Sequence, residues 1–157
     1  TASNAPAASA PAASAPAASQ AAPELLQFQG KTIDGKAFSG TSLAGKPVVF
    51  WFWAPWCPKC MSEGPNVAKA MAKYDGKVAF VGVGGLDDSQ DELKRFVSRT
   101  GTSGVTHLDD RDGKLYKHFK VTTQSSFVFM TTGGDTSKAS GPLDESALNG
   151  HIDKLIG

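Results

Sequence analysis

The feature that most constrains this chain is an unbroken run of large apolar side chains, Val48-Val49-Phe50-Trp51-Phe52-Trp53, stopped by Ala54-Pro55. Side chains of a strand alternate between its two faces, so a run with no polar position offers neither face to water and must be covered on both. It is also far shorter than the roughly 20 residues a membrane-spanning helix needs. The run therefore predicts a central strand with a layer on either side. The segment after it restricts the chain further. Beyond Trp56-Cys57-Pro58-Lys59-Cys60, the stretch from Met61 to Tyr74 carries Val67, Ala70, Met71 and Tyr74 at helical spacing and ends at Asp75-Gly76. A helix directly succeeds the strand.

The rest of the chain extends that unit. Val78-Ala79-Phe80-Val81-Gly82-Val83 reads as a second buried strand, and Asp87 to Arg99 as a helix with Leu93, Phe96 and Val97 turned inward. The order strand, helix, strand, helix implies a parallel pair with a right-handed crossover. Asp112-Gly113 opens a short helix through Tyr116 to Phe119, and Phe127-Val128-Phe129-Met130 is a strand. Gly133-Gly134 turns that strand back into Thr136 to Ser140, and a last helix, Glu145 to Ile156, uses Leu148, Ile152, Leu155 and Ile156. Ahead of the central strand, Leu26 and Phe28, then Ile33 and Phe38, read as two short strands around a turn at Asp34-Gly35. The expected fold is α/β, a mixed sheet flanked by helices, parallel in its first half and antiparallel in its second, with an added N-terminal hairpin.

Residues 1–23 cannot take part in that core. They repeat a Pro-Ala-Ala-Ser-Ala unit, with Pro6, Pro11 and Pro16 at regular intervals and no large apolar side chain. Proline at that spacing breaks helix, so an extended tether is expected, leaving residues 24–157 as the folded domain. Such a spacer favours export. A net charge of +1, with both signs interspersed, leaves no basic face for a phosphate backbone, and nucleic acid is not an expected partner.

The chemistry is expected at the junction of strand and helix. The free N–H groups of a helix's first turn stabilise an anion, so Cys57 is the expected nucleophile. Cys60, one turn further in and covered by the helix, is the expected resolving thiol, able to close a disulfide with Cys57 or to attack a mixed disulfide formed there. Pro58 suits the first helical turn, where its missing N–H has no partner. Lys59 adds a cation that favours the thiolate and so the reduced form, which makes the disulfide more oxidising. Trp56 is placed to shield the sulfur and meet substrate. Glu63, a turn beyond Cys60, either exchanges the proton of Cys60 or is an exposed helix carboxylate. There is no second cysteine pair, and His107, His118 and His151 have no ligand spacing, so no metal site is expected. A copper site on the two thiols is the alternative.

Phe50 to Cys60 followed by Glu63-Gly64-Pro65 resembles the active-site segment of thioredoxin-like proteins of the TlpA/DsbE type, nearest to the secreted DsbE/DsbF-like proteins of actinobacteria. The likeness continues through Asp109-Asp110, Asp112-Gly113, Tyr116 and Val121 to Gln124-Ser125-Ser126-Phe127-Val128-Phe129 and Gly133-Gly134. It implies a thioredoxin fold with the N-terminal hairpin, located outside the cytoplasm, secreted or tethered to the envelope, and exchanging disulfides with other proteins. Two departures stand out. Thioredoxins carry a buried Asp where this chain has Trp51, which leaves Glu63 as the substitute carboxylate. The family's substrate-facing loop has a cis-proline, and here Gln124 is followed by Ser125. A cis bond costs about 3–4 kcal/mol before a residue other than proline, so a trans bond and a displaced loop are expected.

The expected function is a protein thiol-disulfide oxidoreductase, a dithiol oxidase that introduces disulfides into exported proteins. It needs no cofactor beyond the Cys57–Cys60 disulfide, acts as a monomer, and is recycled by a membrane redox partner. The alternatives are a reductase of the cytochrome c maturation type and a copper-handling module.

Overall fold

In the computed structural model, residues 23–85, 89–141 and 143–156 are described. The expected tether therefore lies outside the described residues, except for Pro23. The strands are β1 (Gln29–Lys31), β2 (Ala37–Ser39), β3 (Val48–Trp53), β4 (Ala79–Gly85), β5 (Thr106–Asp110), β6 (Ser126–Met130) and β7 (Thr136–Ser140). The helices are α1 (Pro58–Lys73), α2 (Gln90–Thr100), α3 (Lys114–His118) and α4 (Glu145–Ile156). β1 and β2 form the antiparallel hairpin, and the main sheet has the order β5-β4-β3-β6-β7. β3 lies at its centre, parallel to β4 and antiparallel to β6, as the apolar run requires.

The two faces of β3 build two cores. Val49, Trp51 and Trp53 point into a cluster that holds both cysteines and the inward faces of α1, α2 and α4. Val48, Phe50 and Phe52 point into a second cluster with Leu115, Tyr116 and Phe119, closed by Leu26 and Phe28 from the N-terminal segment. The indole of Trp53 stacks on Phe96, centroids 4.1 Å apart and planes 9° from parallel. Its neighbour in β4 must be small. Gly84 pairs with Trp53, and a Cβ there would sit 2.6 Å from the indole ring.

The structure adds one strand and corrects the start of the hairpin. The strand β5 is not marked by the sequence pattern, because Thr106-His107-Leu108-Asp109-Asp110 has a single apolar residue and no clean alternation. It is held at the sheet edge by buried polar side chains with partners. His107 accepts from the Trp53 indole N–H at 3.1 Å and donates to the Thr102 carbonyl at 2.9 Å. Leu26 lies in a single 3-10 turn and not in a strand, so the hairpin begins later, at Gln29. Helix α2 starts at Gln90, its first turn capped by the Ser89 hydroxyl, which accepts from the Glu92 N–H at 3.2 Å. The expected start at Asp87 lies outside the described residues.

Candidate active site

β3 ends at Trp53, and the chain turns through Ala54-Pro55-Trp56 into α1. Cys57 is the N-cap of that helix, in extended backbone conformation, with Pro58 at the first helical position. Its Sγ accepts a hydrogen bond from the Cys60 N–H at 3.2 Å, the place a serine or aspartate oxygen takes in an ordinary cap. Both sulfurs are unpaired. Cys57 is 4% exposed and Cys60 0%. Burial first, and then the Cys57 side chain, push the Cys60 thiol well above its ordinary range. The pair is thus asymmetric: one sulfur sits at the helix opening and the other inside. Trp56 (55% exposed), Pro58 and Lys59 form an exposed rim around Cys57.

Glu63 is not an exposed helix carboxylate. It is 1% exposed, and burial pushes its carboxyl group up from the ordinary range. Its Oε1 accepts from the Trp51 indole N–H at 3.1 Å and from the Ser125 hydroxyl. Its Oε2 accepts from the Leu143 N–H at 2.5 Å. Trp51, the residue expected to leave the site without the buried acid of thioredoxins, donates its indole N–H to Glu63. An indole N–H inside an otherwise apolar run needs a partner, and that signal could have found the Trp51–Glu63 pair in the sequence. Nothing in the sequence points to Leu143.

Ser125 also corrects an expectation. The Gln124–Ser125 peptide is cis, not trans. Its surroundings settle the matter. Ser125 is 1% exposed, its hydroxyl is bonded to Glu63, its carbonyl accepts from the Gly141 N–H at 2.8 Å, and Ser126 is already paired in the sheet with Phe52 and Ser140. Gln124 is half-buried.

Tyr116 itself was not read as part of the site. It is 5% exposed, its hydroxyl donates to the Trp53 carbonyl at 3.1 Å, and burial pushes its pKa well up. Asp110 sets its position from below. The carboxylate of Asp110 accepts from the Leu115 N–H at 2.8 Å and the Tyr116 N–H at 3.0 Å, capping α3, and burial pushes its pKa up to about 6.

Among the described residues no group of three or more His, Cys, Asp or Glu side chains converges to hold a metal. His107 is engaged at both ring nitrogens, His118 contacts the Leu25 carbonyl at 2.9 Å, and His151 stacks on Phe129.

An N-capping cysteine, a buried second thiol and a buried carboxylate on one helix are the parts of a dithiol exchange site, and residues 18–137 match the AhpC/TSA family. The chain belongs to that family. It is 36% identical over 135 residues to the soluble secreted antigen MPT53 of Mycobacterium tuberculosis, a match covering 84% of this chain and 76% of that protein. Its fold superposes on MTB DsbF, solved in mixed oxidized and reduced forms, with a TM-score of 0.81 and 40% identity, covering 85% of this chain and 98% of that one. A secreted Mycobacterium tuberculosis disulfide oxidoreductase homologous to Escherichia coli DsbE gives a TM-score of 0.79 and 35% identity, covering 84% and 98%. The resemblance read from the active-site segment is borne out, as is the thioredoxin-like fold with its N-terminal hairpin. The protein is a thiol-disulfide oxidoreductase of the DsbE/DsbF/ResA type.

Proposed function

We infer that the protein is a dithiol oxidase for exported proteins, working outside the cytoplasm as its secreted relatives do. The observation that carries this reading is the asymmetry of the two sulfurs. Cys57 Sγ accepts from the Cys60 N–H at the opening of α1, a donor that would stabilise negative charge there, favour the reduced form of the pair and make its disulfide a better oxidant. Cys60 is shut away from any substrate.

In the oxidised protein a substrate thiolate attacks Cys57 Sγ. The Cys57–Cys60 bond breaks as the mixed disulfide forms, and Cys60 leaves with the electron pair. Its burial makes a free thiolate costly, so it takes a proton from the Glu63 carboxyl group, whose new negative charge is received by the donors around it. A second substrate thiol loses its proton and attacks the substrate sulfur of the mixed disulfide, and Cys57 departs as thiolate. Two electrons have passed from substrate to the pair, and the redox group is the disulfide alone. The exposed rim of Trp56, Pro58 and Lys59 meets the substrate, with half-buried Gln124 on the facing loop, while Ser125 lies beneath it, 1% exposed. A membrane redox partner reoxidises the dithiol, and the protein acts as a monomer.

The test sets two activities side by side. The oxidised protein is expected to restore activity to a reduced, unfolded disulfide-containing enzyme faster than the reduced protein turns over insulin disulfides. Insulin reduction without the oxidative refolding would make it a reductase instead.

A further inference from the structure

The environment of Glu63 contains one group that strand pairing and packing leave without another purpose. The Ser125 carbonyl serves the sheet by accepting from Gly141, whereas its hydroxyl is bonded to Glu63 Oε1. The chain is folded down on this pair with no room to spare. A Cβ on Gly141 would lie 2.5 Å from Glu63 Oε2 and 2.6 Å from Ser125 Oγ. The loop that carries Ser125 thus closes directly over the Glu63 carboxyl group.

We propose that Ser125 is a positioning residue for disulfide exchange: its hydroxyl holds the Glu63 carboxylate in place to pass a proton to and from Cys60. This rests on the reading of Glu63 as the proton-handling group. The step itself is a transfer from the Glu63 carboxyl group to the departing Cys60 sulfur, leaving a thiol and a carboxylate. Ser125 keeps its own proton and donates a hydrogen bond to the charge that appears. The groups facing Glu63 are Cys60 on its own helix, Trp51 from β3, Ser125 from the loop before β6, and the Leu143 N–H from the segment before α4. Of these, Cys60 is the titratable one. Loss of the hydroxyl therefore leaves the carboxylate with fewer donors and no compensating cation, and the carboxyl group holds its proton more tightly.

The decisive measurement is the carbon-13 titration of the Glu63 carboxyl group in the full chain, assigned by its disappearance in Glu63→Gln. Ser125→Ala and Ser125→Pro both lack the hydroxyl, and each is expected to raise the midpoint by about one pH unit, a tenfold gain in proton affinity. Ser125→Thr keeps a hydroxyl and is expected to titrate like the wild type. The pH–rate profile for oxidation of a dithiol peptide should move with the midpoint. Wild-type midpoints in both Ser125→Ala and Ser125→Pro, or a Ser125→Thr protein that titrates as they do, would overturn the proposal. The Glu63→Gln arm tests the reading beneath it. An unchanged pH–rate profile in Glu63→Gln removes the proton role of Glu63 and the proposal with it. A changed profile there, combined with an unmoved Glu63 titration in the two hydroxyl-free variants, leaves that role standing and refutes the positioning by Ser125.

Discussion

Two buried carboxylates sit on opposite sides of β3, and they are held in different ways. Asp110 accepts two N–H groups from the start of one short helix, five and six residues along the chain. Glu63 accepts from partners 12, 62 and 80 residues away. The first is a local device that shapes a turn. The second exists only once β3, α1, the loop before β6 and the segment before α4 have come together. A carboxylate anchored within its own turn can be lost without dismantling its surroundings, whereas one gathered from several elements reports on all of them, and it is the second kind that stands beside the cysteines.

The sharpest way to break this comparison is to neutralise each acid without changing its shape. If Glu63 supplies the proton to Cys60 as proposed, Glu63→Gln removes it, and the exchange rate with a dithiol peptide is expected to fall by roughly two to four orders of magnitude, the usual span of general acid–base catalysis. Asp110→Asn is expected to lose stability while staying within roughly tenfold of the wild-type rate, since Asp110 acts on the helix start and not on the reacting sulfurs. Equal losses of rate in the two variants would show that the cap on α3 matters as much to the chemistry as Glu63 does.

A second effect concerns pH. The folded protein holds the Asp110 proton up to about 6 instead of the ordinary 3.8, so between those values it binds a proton that the unfolded chain releases, and this site's contribution to stability falls as pH rises. His107 does the reverse. Burial lowers it from 6.5 to about 4, so across that interval the unfolded chain binds the extra proton and the contribution of His107 rises with pH. Each shift spans roughly two units, on the order of 3 kcal/mol, and over much of the range from pH 4 to 6 they oppose each other. Glu63, also raised, works in the same direction as Asp110. Asp110→Asn should therefore gain stability relative to wild type as pH climbs from 4 to 6, read from urea midpoints at intervals across that range. Midpoints that run parallel in the two proteins would mean that Asp110 does not titrate there.

The same contrast explains what could be read from the sequence. The central strand, the helix after it and the order of the two cysteines are local facts: a two-sided apolar run, a period of 3.6 and a cap position three residues before its partner. The burial of Glu63 is not local, because its i+3 spacing from Cys60 fits an exposed helix face equally well, and what hides it arrives from Leu143. Ser125 misled for the same reason. The preference of an isolated dipeptide pointed one way, while Gly141, Glu63 and the register of β6 decided the other. β5 is hard to see in the sequence because two of its three buried positions, His107 and Asp110, are polar and satisfied by partners that periodicity does not display.

Gly141→Ala probes the assembled carboxylate at its tightest point. The new methyl would stand 2.5 Å from Glu63 Oε2 and 2.6 Å from Ser125 Oγ. Overpacking of this kind costs about 1–3 kcal/mol, and here relief requires the acid or the hydroxyl to move. Thermal unfolding should show that loss, and exchange should slow with it. A variant that is destabilised but exchanges at the wild-type rate would mean that Glu63 tolerates displacement.

The smallest effect belongs to the matching glycine on the Asp110 side. Gly113 precedes α3 with a φ of +77°, and its N–H donates to the Asp110 carbonyl at 2.8 Å. No atom lies within 4 Å of where its Cβ would be, so Gly113→Ala meets no clash and carries only the conformational cost of an L-residue in the left-handed region, about 1 kcal/mol. Because that strain stays inside the turn, the capping bonds from Asp110 survive, Tyr116 keeps its contact with the Trp53 carbonyl, and the exchange rate should equal that of the wild type. Gly113→Ala and Gly141→Ala thus add the same single methyl group, one against backbone preference in open space and one against the packed acid. A rate loss in Gly113→Ala comparable to that in Gly141→Ala would show that the turn carrying Asp110 is coupled to the cysteines through Tyr116, and the separation between a local and an assembled carboxylate would have to be given up.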